Sequence, residues 1–256
     1  MSIFSVRNLS VSYKDIEVVK NINFSIDKGE FCALLGLNGA GKTTVLNACC
    51  GFIKAEGECA VSGQKTSVLN EKERAKLISY IPQKNSNMEG KSVLDVVLMG
   101  FNPVLNVWRQ PTSEQQKKAT EVLNNLNCGD LIFKDFGELS QGQQQLVVLA
   151  RSIVQNTPVM LMDEPDSSLD FLNRHMILKT IADLIHNEKK AGLITLHDPN
   201  FAMTYCDRLF LLKDKRISEE IFMHNSTSDE IQKKLSTIYG NIDVIKHNDS
   251  FVMLRK

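Results

Sequence analysis

The sequence predicts an α/β protein. Its core is a mostly parallel sheet, with antiparallel strands ahead of it and a helical subdomain inserted into it. Three observations carry that prediction. Residues 31–35 (FCALL) form a continuous apolar run that turns glycine-rich and becomes helix-compatible from Lys42. Three more short apolar runs, 158–162, 193–196 and 208–212, are separated by helix-length segments. Strands that alternate with helices imply a largely parallel sheet. Between the first run and these three, residues 84–157 carry helical periodicity and little strand signal.

In chain order, residues 1–30 read as strands. Leu9, Val11 and Tyr13 alternate with Ser10 and Ser12, and Ile22, Phe24 and Ile26 alternate with Asn23 and Ser25. Asp27-Lys28-Gly29 makes the turn into the run at 31–35. In the helical segment, Ser92 with Asp95 opens a short helix that Gly100 closes. Ser113 with Gln116 forms a capping box for the next helix, which sets Ala119, Val122, Leu123 and Leu126 on one face. After residue 213 a helix capped by Thr227 and Glu230 carries Ile231, Leu235 and Ile238, and Tyr239-Gly240 ends it. Residues 242–245 and 251–254 read as a hairpin around His247-Asn248-Asp249. The domain reading is therefore a core of residues 1–83 and 158–256, with residues 84–157 as the helical subdomain.

The stretch 36–43 fits G-x-x-x-x-G-K-[ST] at every fixed position. Gly36, Gly39 and Gly41 let the backbone turn tightly around Asn38 and Ala40 and approach a ligand closely. Loop N–H groups and the start of the next helix, Lys42 to Thr44, then favour an anion. Lys42 adds a full charge for β- and γ-phosphates, and Thr43 a hydroxyl for Mg²⁺. This is the phosphate loop of a P-loop NTPase core. Asp163 follows four apolar residues and suits the shell around Mg²⁺. Glu164, next in the chain, suits a base for an attacking water. The phosphate loop, Asp163-Glu164 and His197 all fall at carboxyl ends of strands, where such sheets bind ligands. Ser140 and Gln143 form a capping box, and Gly142 leaves that helix N-terminus open to close approach.

Taken together, GLNGAGKT at 36–43, LSQGQ at 139–143, VMLMDEP at 159–165, SLD at 168–170 and His197 resemble the ATPase subunit of ABC transporters. The resemblance covers nearly the whole chain, and LSQGQ is its decisive element. It implies ATP and Mg²⁺ as ligands and a head-to-tail dimer with two ATP molecules at its interface. Ser140, Gly142, Gln143 and Asp170 would face the nucleotide held by the second copy. Tyr13 resembles the aromatic that stacks on adenine. Gln83 resembles the glutamine that reaches both Mg²⁺ and the attacking water, and His197 the switch histidine at the γ-phosphate. Gln141 stands where the family has Gly, Leu146 where it often has Arg, and Lys215 where Gly is usual. His175, His186, His224 and His247 have no such counterpart and are expected at the surface.

The segments ERAKLISYIPQ, VLDVVLMGFNP, LHDPN and YCDRLFLLKD look like the subfamily that imports iron–siderophore complexes, haem and cobalamin. Amino-acid and sugar importers are the alternative, followed by an ABC ATPase scaffold without a permease. The implied partners are an integral-membrane permease and, through it, a substrate-binding protein. In the family a permease helix docks just after Gln83. Met88, Phe101, Val104, Leu105, Val107 and Trp108 form a loop-broken apolar cluster that is either the core of the helical segment or, for some of its side chains, an exposed apolar groove there.

Composition bounds these readings. The 256 residues carry 30 Lys+Arg and 30 Asp+Glu, which argues against a general nucleic-acid binder. No apolar run approaches a membrane span, and the first ten residues lack a signal pattern. The expected location is the cytoplasmic side of the cell membrane, as a peripheral subunit. The six cysteines form no C-x-x-C pair and read as small buried thiols.

Overall fold

The computed structural model describes residues 2–83, 88–105, 110–167, 169–248 and 250–256. The chain begins with β1 (Ser2–Tyr13) and β2 (Ile16–Asp27), an antiparallel hairpin, followed by β3 (Glu30–Leu35) and α1 (Lys42–Cys49). Next come β4 (Glu56–Val61), β5 (Gln64–Lys65), α2 (Glu71–Leu77) and β6 (Ile78–Ile81). The helices α3 (Val93–Leu98), α4 (Ser113–Asn125) and α5 (Gln141–Gln155) precede β7 (Val159–Asp163). The chain continues through α6 (Phe171–Asn187), β8 (Ala191–Thr195), α7 (Pro199–Tyr205), β9 (Arg208–Lys213) and β10 (Arg216–Phe222). It closes with α8 (Ser228–Tyr239), β11 (Ile242–His247) and β12 (Ser250–Arg255).

Two sheets organise the core. A six-stranded sheet runs β10-β9-β3-β8-β7-β6, parallel except for the antiparallel edge strand β10. A four-stranded antiparallel sheet runs β2-β1-β4-β5. The run at 31–35 is continuously apolar because β3 is covered on both faces. Phe31, Ala33 and Leu35 join one hydrophobic cluster, and Cys32 and Leu34 the other. All six cysteines are free and buried in these layers. Strand β4 has no counterpart in the sequence reading. Its EGECAV pattern buries only its last three residues and is too short to show a period.

Capping follows the local rules closely. Ser92 accepts from the Asp95 amide at the start of α3, and Thr227 and Glu230 box the start of α8. For α4 the box is Thr112 with Gln115, one residue earlier than Ser113 with Gln116. Both pairs fit the pattern, and the helix starts at the first. Gly100 does not close α3. It lies in a 3₁₀ turn, Met99–Phe101, that runs on from the helix. A Cβ there would run into the Arg151 carbonyl oxygen of α5, so the glycine serves a close helix crossing. Between β9 and β10, Asp214 and Lys215 both adopt left-handed φ, 48° and 67°. That is the backbone of a two-residue hairpin turn in which Gly is favoured.

The expected apolar groove is largely absent from its predicted place. Phe101 is only 7% exposed, and Met88 and Leu105 pack against the main hydrophobic cluster. They are core residues of the helical segment. Val104 is 62% exposed. Val107 and Trp108 lie outside the described residues, as does Ser168 of the SLD segment and Asp249 of the final turn. His175 also departs from expectation. It is half-buried, with Nδ1 2.6 Å from the Tyr205 hydroxyl and its ring edge-on to Phe171 and Phe201. His186, His224 and His247 are exposed as expected.

Candidate nucleotide site

Strands β3, β8 and β7 lie side by side and parallel, so the segments after their carboxyl ends meet. After β3 the phosphate loop turns into α1 through Gly41, at φ 103°. An added Cβ there would lie 2.7 Å from Val19 Cγ1, so a substitution would force that side chain to shift as well as strain the backbone. Gly41 is also the N-cap of α1, and no side chain caps it. The first amides of α1 therefore keep their hydrogen-bonding capacity for an anion.

Lys42 Nζ donates to the Gly36 carbonyl at 2.9 Å and lies 3.4 Å from that of Leu37. Burial lowers its pKa, and the carboxylates of Glu164 and Asp163 partly restore it. The ammonium is held by loop carbonyls and feels the charge of both carboxylates. A cavity of about 410 Å³ opens here. It is lined by Asn38, Gly39, Ala40, Gly41, Lys42, Thr43 and Thr44, with Gln83, Glu164 and His197 opposite and Val18 at the side. A larger concavity, about 940 Å³, is lined mostly by β1 and β2 with Lys28 and Arg208 and holds none of these residues.

The carboxylates are positioned by β7 and β8. Asp163 pairs in register with Thr195, and Thr195 Oγ1 donates to Asp163 Oδ1 at 2.7 Å. The same hydroxyl accepts from the Glu164 amide at 3.0 Å. Tyr80 also faces Asp163. Burial first, and then that carboxylate, push its hydroxyl pKa well up, so it remains a donor. Glu164 turns out of the strand at φ 48°, a left-handed conformation uncommon for a side chain of this size. Its carboxylate is nearly buried and takes two donors on Oε2. One is His197 Nε2 at 2.7 Å, and the other is Gln83 Nε2. A carboxylate only accepts, so His197 presents its proton on Nε2.

The remaining predicted positions lie apart from this cavity's lining. Ser140 caps α5 in a reciprocal box, Gln143 N to Ser140 Oγ at 3.3 Å and Ser140 N to Gln143 Oε1 at 3.1 Å. Gly142 lies in the first turn of that helix. Asp170 caps α6 and holds Asn173 through its amide and side chain, each at 2.9 Å. Tyr13 stands half-exposed at the end of β1 and does not line the cavity. Sequence reasoning missed Thr195, Tyr80 and Asp166. Asp166 is a buried carboxyl 3.4 Å from Arg174 Nε. Burial raises its pKa and Arg174 lowers it.

The donor set Thr43, Gln83 and Asp163 is all oxygen, which suits a hard cation such as Mg²⁺. Among the described residues no cluster of three or more His, Cys, Asp or Glu could hold a metal ion. A cation here would need phosphate oxygens and water to complete its shell, as Mg²⁺ in phosphoryl-transfer sites does. No helix among the described residues is long and apolar enough to cross a membrane.

Comparisons with known proteins agree with this geometry. Residues 19–167 match the ABC transporter family model. The chain is 35% identical over 255 residues to a protein of Helicobacter pylori strain J99, named "Probable iron chelatin transport ATP-binding protein", covering 98% of each chain. It superposes on a transporter described as of the metal-chelate type, solved in an inward-facing conformation. The TM-score is 0.81 and the identity 28%, over 99% of this chain and 96% of that one. A dimeric bacterial ABC transporter cassette superposes with TM-score 0.78 and 29% identity, over 86% of this chain and 98% of that one. The match spans the phosphate loop, Gln83, the α5 N-terminus and both strand-end carboxylates, so this chain belongs to the ABC transporter family and is an ATP-hydrolysing cassette.

Proposed function

We propose that this chain is the ATPase subunit of an importer for iron chelates, such as iron–siderophore complexes, haem or cobalamin. It works from the cytoplasmic side of the membrane, bound to a separate permease that a substrate-binding protein loads. The hydrolytic part is carried by one observation: Gln83 and His197 converge on the Glu164 carboxylate beside the phosphate loop. The cargo reading is supported by the relative named for iron chelatin transport and by the metal-chelate type neighbour.

The chemistry follows from the residues. Loop amides and Lys42 hold the β- and γ-phosphates, and Tyr13 stacks on the adenine. Thr43, Gln83 and Asp163 would hold Mg²⁺, which would supply positive charge against the phosphates. Glu164 accepts the proton of the attacking water, a role worth about 10²- to 10⁴-fold in rate. Gln83 orients that water, and His197 contacts the γ-phosphate once the nucleotide displaces its bond to Glu164. Ser140, Gly142, Gln143 and Asp170 lie outside the cavity lining because they serve the nucleotide of a second copy. The dimeric cassette supports that arrangement. Residues 84–157 move as a unit against the core of 1–83 and 158–256, with Gln83 at the hinge.

The permease contact belongs in a cavity of about 580 Å³ beside Pro82, where α1 ends against α2 and α5. It is lined by Phe52, Arg74, Tyr80, Arg151 and Gln155 among others, and Phe52 is 62% exposed. Tyr80 joins this cavity to Asp163. Reconstitution with the permease in liposomes tests the whole reading. ATP-dependent uptake of a radiolabelled iron chelate is expected. Uptake of an amino acid or sugar instead, with no iron signal, would overturn the cargo assignment.

A further inference from the structure

His197 is held on both sides, and one of its holds comes from the far end of the chain. Its side chain is about half exposed, so the imidazole has little packing of its own. Before it, Leu196 is fully buried. After it, Asp198 caps α7, accepting from the Asn200 amide at 2.9 Å. The Asn200 side chain then reaches the edge of β12. Its Oδ1 accepts from the Met253 amide at 2.7 Å, and its Nδ2 lies 3.5 Å from the Met253 carbonyl. A carboxamide sets an N–H donor beside a carbonyl acceptor, in the layout of a peptide unit. It therefore serves as the missing ladder partner for one residue on the open edge of the hairpin.

The hairpin is itself anchored. Ile242 and Val244 are buried, and the Val244 amide donates to Gln232 of α8 at 3.0 Å. A second link runs from α8 to the same turn. The Tyr239 hydroxyl is pushed up to about 12 by burial and then by the Asp198 carboxylate. The Asn200 bonds fall within three residues of His197, and Asp198, whose charge Tyr239 feels, directly follows it.

We propose that Asn200 is a positioning residue for His197, through which the C-terminal hairpin β11–β12 sets the rate of ATP hydrolysis. This rests on the role assigned to His197 above. Misplacing a group by about 1 Å from a distance can cost up to 10²-fold in rate. Loosening the turn should therefore lower kcat without weakening ATP binding, because Asn200 lies outside the cavity lining.

Three variants of the full chain test it. Asn200→Leu removes both bonds at similar volume. Asn200→Asp keeps the acceptor for the Met253 amide and loses the donor, and an acidic side chain suits a first helical turn. His197→Ala is the control for the underlying reading. Expected is a kcat about tenfold lower for Asn200→Leu and intermediate for Asn200→Asp, with KM for ATP unchanged. The melting temperature of Asn200→Asp should match the parent. An unchanged kcat in both Asn200 variants, with His197→Ala inactive, overturns the proposal alone. So does a kcat loss that appears only together with a matching loss of melting temperature and a raised KM. Full activity in His197→Ala overturns the role of His197, and the proposal with it.

Discussion

His197 Nε2 lies 2.7 Å from Glu164 Oε2, the same carboxylate oxygen that Gln83 reaches from the start of the helical segment. Two donors on one oxygen make a defined prediction for Glu164→Gln. The amide can turn its carbonyl to that position and keep both bonds, so the resting site survives. It cannot accept a proton. ATP should still bind, while hydrolysis falls by about 10²-fold or more. Two copies held by unhydrolysed ATP should accumulate as a dimer, visible by size-exclusion chromatography with Mg-ATP. A monomer hydrolysing ATP at the parent rate would refute both the base and the dimer.

Thr195 predicts a different defect. Its hydroxyl holds Asp163 and receives the Glu164 amide, and it is fully buried. Thr195→Val keeps the shape and strands that amide, at a cost of about 1–3 kcal/mol of stability. It also frees the Asp163 carboxylate. The ATPase should then need several-fold more Mg²⁺ for half-maximal rate. A Mg²⁺ titration of the purified variant checks this, and an unshifted midpoint would remove Thr195 from the metal shell.

These two cases mark what was legible in the sequence. Local rules were readable: the phosphate loop before α1, and the Ser140–Gln143 box, are set by neighbours within a few residues. Thr195 was hidden because it sits at the end of an apolar strand. Only the parallel register of β7 with β8 places its hydroxyl at Asp163. Asn200 was hidden for the same reason, since its partner is 53 residues away. The apolar residues near Phe101 misled because a cluster of apolar residues in the sequence does not show what covers it. Here α5 covers it, and Gly100 lets it come close.

Lys42 should leave a pH signature. Its folded pKa lies below the usual 10.5, with burial the main cause. Below the folded value the group is protonated in both states, so stability is flat there. As pH rises through the folded value towards 10.5, the unfolded chain binds more protons, and stability of the nucleotide-free protein rises. Lys42→Met lacks this group. The stability of the parent relative to Lys42→Met should therefore climb as pH rises through the alkaline range towards 10.5. Urea unfolding of both proteins across that range measures it, and a flat difference would contradict the burial. The same variant should lose ATPase activity, because loop amides alone lack the full charge.

If the permease docks in the cavity beside Pro82, a change there should separate transport from hydrolysis. Phe52 stands 62% exposed at its rim, edge-on to Tyr80 with ring centroids 5.3 Å apart. Tyr80 in turn faces Asp163, which links this cavity to the strand-end carboxylate. Aromatic anchors in a cavity typically dominate such interfaces, with losses of about 2 kcal/mol or more on truncation. Phe52→Glu puts a charge where an apolar permease helix would seat, and it alters no residue lining the nucleotide cavity. ATP affinity and basal hydrolysis of the isolated chain should stay at parent levels. Co-purification with the permease should fall, and iron-chelate uptake by the reconstituted complex should drop about tenfold or more. Uptake at the parent rate would move the permease contact away from this cavity.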